Sequence, residues 1–180
     1  YGLLSLFRTR PFSKVPVVSS FPKKIFISLI DSNPLSFEPK IVIEENLEAF
    51  NKGIELISHL PNDGVHIGIS NDDLELCNSN NITYHKFNGP HPIGLVGTQI
   101  HKISPASLTN QIWTIGYQEI IKIGQTLING YLYNEKYISI SGPQVFKPEV
   151  VLTNYGACVE ELTAGKLLEG ENRIISGSVL

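Results

Sequence analysis

Hydrophobic side chains recur along this chain with two periods, and the alternation between them sets the expected order of elements. Residues 24–30, KIFISLI, form a β-branched and aromatic run that stops at the turn cluster Asp31-Ser32-Asn33-Pro34. That pattern reads as a buried strand followed by a loop. Across residues 41–60 the apolar positions Ile43, Leu47, Phe50, Ile54 and Ile57 return every three or four residues, the spacing of one helical face. Glu44 and Glu45 are expected where the dipole of this single helix favours negative charge, and Pro61-Asn62-Asp63-Gly64 is expected to end it. Residues 65–69 (VHIGI) and 82–87 (ITYHKF) read as two further strands, with Asn71-Asp72-Asp73 between them placed to cap a short helix carrying Leu74 and Leu76. Strand, helix, strand, helix, strand predicts a parallel sheet with helices packed on its faces.

The pattern then breaks at residues 88–98, NGPHPIGLVGT, whose three glycines and two prolines mark a shaped loop entering a helix near Gly97. Ile112 to Ile115, around the single Trp113, is apolar. Ile120, Ile121, Gly124, Leu127 and Ile128 fall on one face of a second helix that Asn129-Gly130 should close. Residues 137–141, YISIS, predict one more strand, closed by Gly142-Pro143. Beyond it residues 145–152 are expected as a strand and 158–162 as a short helical turn, which places a domain boundary near Gly142. The expected organisation is an α/β domain over 1–142 and the start of a second, small domain over 143–180.

The 180 residues are enough for one full domain and part of another, burying roughly 70% of the unfolded surface. Hydrophobic residues make up 42% and charged residues 17%, against a usual charged share of about 25%, which excludes intrinsic disorder. No apolar stretch approaches the roughly 20 residues of a membrane span, and the chain does not open on a signal peptide. A net charge of -3 without a Lys/Arg run lacks the footprint of a nucleic-acid binder. Methionine is absent, position 1 included, so the sequence reads as a piece of a longer polypeptide. Cys77 and Cys158 form no CxxC, suggest a reducing compartment, and are each expected as small buried hydrophobes.

The glycine-rich loop fails as a phosphate motif. Gly89 and Gly94 have the spacing of a Walker loop but are followed by Leu95-Val96 in place of the lysine, and GxGxxG is absent. The five histidines form no HExxH and no i,i+4 pair, so no metal site is expected, and His66 and His85 read as hydrogen-bonded strand residues. There is no nucleophile elbow. Glu44/Glu45, Asp72/Asp73 and Glu160/Glu161 are adjacent in sequence and diverge on a helix, so they read as solvated faces or caps. One geometric expectation survives. In an open α/β sheet ligands sit outside the carboxyl ends of the strands, where the 31–34 and 88–98 loops emerge. If their strands are neighbours, Asp31, Asn33, His91, Gly94, Thr98 and His101 line one crevice.

Six blocks in order, FRTRPFSKVP (7–16), DSNPL (31–35), FNGPHPIGLVGTQIHKISP (87–105), IWTIGYQEIIKIG (112–124), SGPQVFKP (141–148) and GENRIISGSVL (170–180), resemble the NqrA family of the Na+-translocating NADH:quinone reductase over nearly the whole chain. The resemblance implies a middle fragment of a soluble peripheral subunit, on the cytoplasmic face of the bacterial inner membrane, in a six-subunit complex that reduces ubiquinone with NADH and exports sodium. It implies a Rossmann-like core similar to the flavin-binding subunit of complex I, followed by part of a small α+β, β-grasp-like domain. In that relative a glycine-rich loop cradles FMN phosphate; the corresponding residues 1–16 have only Gly2, with Phe7, Arg8 and Arg10 where small residues are needed. The fragment is therefore expected to hold no cofactor of its own and to dock on the membrane subunits at the ubiquinone-reduction end. The ligand or interface candidates are Asp31, Asn33, His91, Gly94, Gly97, Thr98, His101 and Trp113. The alternatives are a module that binds FMN or NADH directly and a purely structural docking domain.

Overall fold

The computed structural model describes residues 2–70 and 76–180; the short helix expected after Asn71 lies outside the described residues. The chain divides into two compact units. The first comprises Tyr1–Ser32 and Glu38–Tyr133, the second Asn33–Phe37 and Asn134–Leu180.

In the first unit, strands β1 (Arg8–Arg10), β2 (Lys24–Ser28), β3 (Val65–Ile69), β4 (Ile82–Lys86) and β5 (Ile112–Thr114) form one sheet in the order β1-β5-β2-β3-β4. All neighbours are parallel except β1, which runs antiparallel to β5. The helices are α1 (Pro39–Glu45), α2 (Leu47–Ser58), α3 (Val96–Ile103) and α4 (Tyr117–Asn129). The strand order follows from connection handedness. The chain steps one way from β2 through β3 to β4, then returns past β3 and β2 to β5. Right-handed crossovers in opposite directions place α2 and α3 on opposite faces.

Strand alternation decides which residues meet which helix. Ile25 and Ile27 are fully buried on one face, in register with Val65 and Ile67. Phe26 points to the other, where it forms a cluster with Ile112 and with Ile100 of α3. Helices α2 and α4 contact each other closely. A Cβ at Gly124 would fall on the Ala49 carbonyl, and one at Gly53 on the Ile120 carbonyl. Glycine is required at both points because the two backbones touch there.

The single helix expected over 41–60 is two. Asn46, at φ −123° and ψ 30°, separates α1 from α2, and its side-chain amide donates to the Val42 carbonyl at 3.0 Å. The apolar spacing runs through this break, so periodicity alone does not reveal it. Glu44 and Glu45 consequently end α1 instead of opening a long helix. Helix α4 ends as expected, with Gly130 in the left-handed region at φ 74°.

The second unit contains the hairpin of β6 (Glu135–Ile140) and β7 (Glu149–Asn154), paired antiparallel from Glu135↔Asn154 to Ile140↔Glu149, and the short helix α5 (Val159–Thr163). The boundary therefore precedes β6, at Tyr133, and not Gly142. The YISIS run looks like one more strand of the first sheet, but its hydrogen bonds go to β7. Residues 33–37, which the sequence assigns to the first domain, also belong here. Leu35, at φ 62°, presents its carbonyl to the hydroxyls of Ser139 and Ser141, each donating at 3.1 Å. Cys158 is exposed and Cys77 half-buried, so neither is the buried hydrophobe expected.

Candidate functional site

The sheet reverses its connection direction between β2 and β5, and in such sheets a crevice opens outside the carboxyl ends at that point. Here it is bounded by the segment after β2 and by the turn into α4 at Gly116. The 88–95 loop folds back from β4 to close over it. Ser32 holds the loop: its hydroxyl accepts from the Gly94 amide at 3.0 Å, and His91 Nδ1 lies 3.1 Å from both the Ser32 hydroxyl and its carbonyl. A Cβ at Gly94 would come within 2.6 Å of the Ser32 nitrogen and 2.8 Å of the Ile30 carbonyl oxygen. This close approach is what the glycine permits.

Beneath the loop, Gln99 of α3 is fully buried. Its Nε2 donates to the Ser28 hydroxyl at 2.9 Å and to the Ile93 carbonyl at 3.1 Å, while Oε1 is buried without a partner. The amide lies over Gly68 of β3, where a Cβ would collide with it. On the other side of the crevice the Tyr117 hydroxyl accepts from Gln118 Nε2 at 3.3 Å. Burial pushes Tyr117 up to about 12, with the charges of Asp31 and Glu119 acting in the same direction. Tyr117 is therefore a neutral donor at any physiological pH.

The expected crevice residues do not form one set. Asp31, His91 and Gly94 belong to the carboxyl edge of the first sheet; Asn33 belongs to the second unit. Thr98 is half-buried on α3, and its backbone amide donates to Leu95. Gly97 and His101 line a different recess with Arg10, on the flank of α3. Trp113 is not a surface residue. It points away from α3, 2% exposed, with its ring tilted at 58° to that of Phe7 at 5.7 Å. The residues that build the crevice, Ser28, Ser32, Gln99 and Tyr117, are not among the sequence candidates. Only Gly68, an isolated glycine inside a strand, signals a close approach in the sequence.

His66 and His85 pair as strand histidines, Nδ1 to Nε2 at 2.8 Å, with Phe26 stacked on His66 at 4.8 Å. Burial, then the His85 and Lys24 charges, lower His66 to about 4. Burial and Lys24 also lower His85. Both rings are neutral near pH 7. Among the described residues no cluster of three or more His, Cys, Asp or Glu side chains is placed to hold a metal ion.

Between β2 and α1 there is no glycine, and Asp31 adds a carboxylate there. At the turn into α4 the Glu119 carboxylate sits against Gly116. The amino-terminal segment forms a 3-10 turn at Leu3–Leu6 and then β1, with Phe7 only 4% exposed and its ring against Trp113.

Comparison with known proteins agrees with this architecture. Residues 1–132 match the family described as the NqrA second alpha/beta domain, and residues 137–180 the NQRA C-terminal domain. Relatives named as the A subunit of Na(+)-translocating NADH-quinone reductase include those of Yersinia pestis bv. Antiqua (strain Angola), 46% identical over 180 residues, and Vibrio anguillarum, 44% identical over 179 residues. Each match covers 99% of this chain and 40% of the relative, so the chain spans about two fifths of the length of these proteins. With both family domains in order and near-complete coverage, the chain belongs to the NqrA family of the Na(+)-translocating NADH-quinone reductases.

Proposed function

We propose that this chain is the part of an NqrA protein that serves a sodium-pumping NADH:ubiquinone oxidoreductase as a peripheral scaffold without flavin. It lies on the cytoplasmic face of the bacterial inner membrane, docks on the membrane subunits and helps shape the ubiquinone-reduction end. Its first unit is a Rossmann-like relative of the flavin-binding subunit of complex I, and its second is part of a β-grasp-like domain. The observation that carries this reading is the closed crevice. At the carboxyl edge Ser32 holds His91 and Gly94, and the carboxylates of Asp31 and Glu119 act on Tyr117, a setting unfavourable to a phosphate, which supports a scaffold without flavin. Among the described residues no helix is long and apolar enough to cross a membrane, which supports a peripheral placement. Ubiquinone, a neutral ring with two carbonyl acceptors, needs an apolar slot with one or two donors. His91 and the neutral Tyr117 hydroxyl are the donors at this edge.

The test uses the assembled complex and a photoreactive ubiquinone. Labelling within residues 88–95 is expected, together with a raised KM for ubiquinone in His91→Ala. No label in this segment and unchanged kinetics would remove the quinone contact and leave docking in place. FMN or a dinucleotide recovered with the purified protein would favour the competing reading of a cofactor-binding module and overturn the scaffold.

A further inference from the structure

Arg10 ends β1 at the sheet edge, in register with Ile112 at the start of β5. It therefore lies at the amino edge of the parallel strands, away from the crevice. With Gly97, Ile100, His101, Pro105 and Ala106 it lines an open recess of about 180 Å3. A guanidinium carries five N–H donors. Among the described residues nothing accepts from this one, Nε is shut off from solvent without a partner, and no carboxylate pairs with it. A charged donor that has lost part of its water without gaining an acceptor is unfavourable. An occupant bringing a planar carboxylate would satisfy it in bidentate fashion.

The size and the rim of the recess narrow the choice of occupant. Small-molecule sites usually measure about 300–1,000 Å3, so this recess accommodates the head of one side chain. Its walls at Ile100, Pro105 and Ala106 are apolar. The chain leaving it exposes Phe12 by 65%, and the following stretch exposes Val15, Val17, Val18 and Phe21, with Val18 at 90%. An arginine bordered by apolar side chains is the composition of an interface core.

We propose that the Arg10 recess is a docking point for a partner polypeptide: a carboxylate side chain of another subunit enters it, and apolar neighbours of that residue pack on Phe12 and the residues after it. This rests on the reading of the chain as part of a multi-subunit assembly, and adds the surface and the chemistry of the partner. Gly97 and His101 then act as walls of the docking point, apart from the quinone end.

The experiment uses the full-length protein and the complex lacking it. Arg10→Glu should weaken their association about tenfold or more, and Arg10→Lys, which keeps the charge but loses the fork, about threefold. Neither should change the melting temperature of the free protein, since the guanidinium makes no hydrogen bond among the described residues. In wild-type protein, amide exchange over residues 15–19, whose amides make no hydrogen bond among the described residues, should slow only on assembly. Unchanged association of Arg10→Glu would overturn the proposal. So would amides already protected in the free protein, which would mean that its own chain covers the arm. Loss of binding to anionic phospholipid vesicles with association intact would also overturn it, by assigning the recess to a lipid phosphate. Failure of the wild-type protein to associate at all would instead remove the assembly reading beneath it.

Discussion

The two faces of the first sheet are built on different physics. On the face of Ile25 and Ile27, α2 and α4 meet backbone to backbone at Gly53 and Gly124, and the contact admits no extra atom. On the face of Phe26, α3 packs Ile100 on Phe26 and Ile112 and adds buried polar contacts, with Gln99 donating to Ser28 and Ile93 and with the His66–His85 pair nearby. The first face is specified by shape and the second by donor and acceptor placement. Steric closeness makes a stiff support, while hydrogen bonds can be retuned without rebuilding a core. The loops that form the crevice are anchored to the second face.

Substitutions should separate these regimes. Gly124→Val forces two backbones apart, and overpacking on that scale should cost at least about 3 kcal/mol or abolish folding, read by urea denaturation. Stability close to wild type would mean that α2 and α4 can slide past each other. Gln99→Ala should cost about 2 kcal/mol, because the Ser28 and Ile93 acceptors lose their donor in a buried place. It should also raise amide exchange over residues 88–95 more than in α2. A uniform rise in exchange would erase the distinction between the faces.

The pH dependence tests the second face more gently. Unfolded His66 takes up a proton near pH 6.5, and the folded residue only near pH 4. The contribution of the neutral pair is complete above about pH 6.5 and is lost as pH falls toward 4, because the unfolded state then binds the extra proton. His66→Leu should flatten denaturation midpoints across that window, whereas a variant as pH-dependent as wild type would place the titration elsewhere. The smallest effect is expected outside both faces. Glu48→Ala removes only the exposed Lys52 pair at 3.9 Å and should change stability by under about 0.5 kcal/mol.

What can be read from the sequence follows the same division. Strands β2 to β4 and helices α2 and α4 are legible because burial imposes a period of two or of about 3.6 on apolar positions, whereas β5 shows in the sequence only as an apolar run and α3 only as the helix that the glycine-rich loop enters. β1 is not, since Arg-Thr-Arg before a proline has no apolar pattern and gains its strand identity from pairing with β5. The 88–98 loop is recognisable from its glycines and prolines, and its neighbourhood with the segment after β2 follows from the sheet geometry. Ser32, Gln99 and Tyr117 escape sequence reasoning because a hydroxyl or amide announces nothing until a residue distant in sequence supplies its partner. Trp113 stands among the sequence candidates for ligand or interface contact, but its ring is buried in the packing around Phe7.

The excursion of residues 33–37 bears on how this protein can be inherited. The second unit owns a stretch of chain inserted between β2 and α1, so no single cut yields two self-contained pieces. A gene truncated after Tyr133 would encode a sheet still carrying five residues whose hydrogen-bonding serines, 139 and 141, had been deleted. Exchange of this region by recombination at one junction would therefore leave an orphaned strap, and the two units are expected to travel through evolution together.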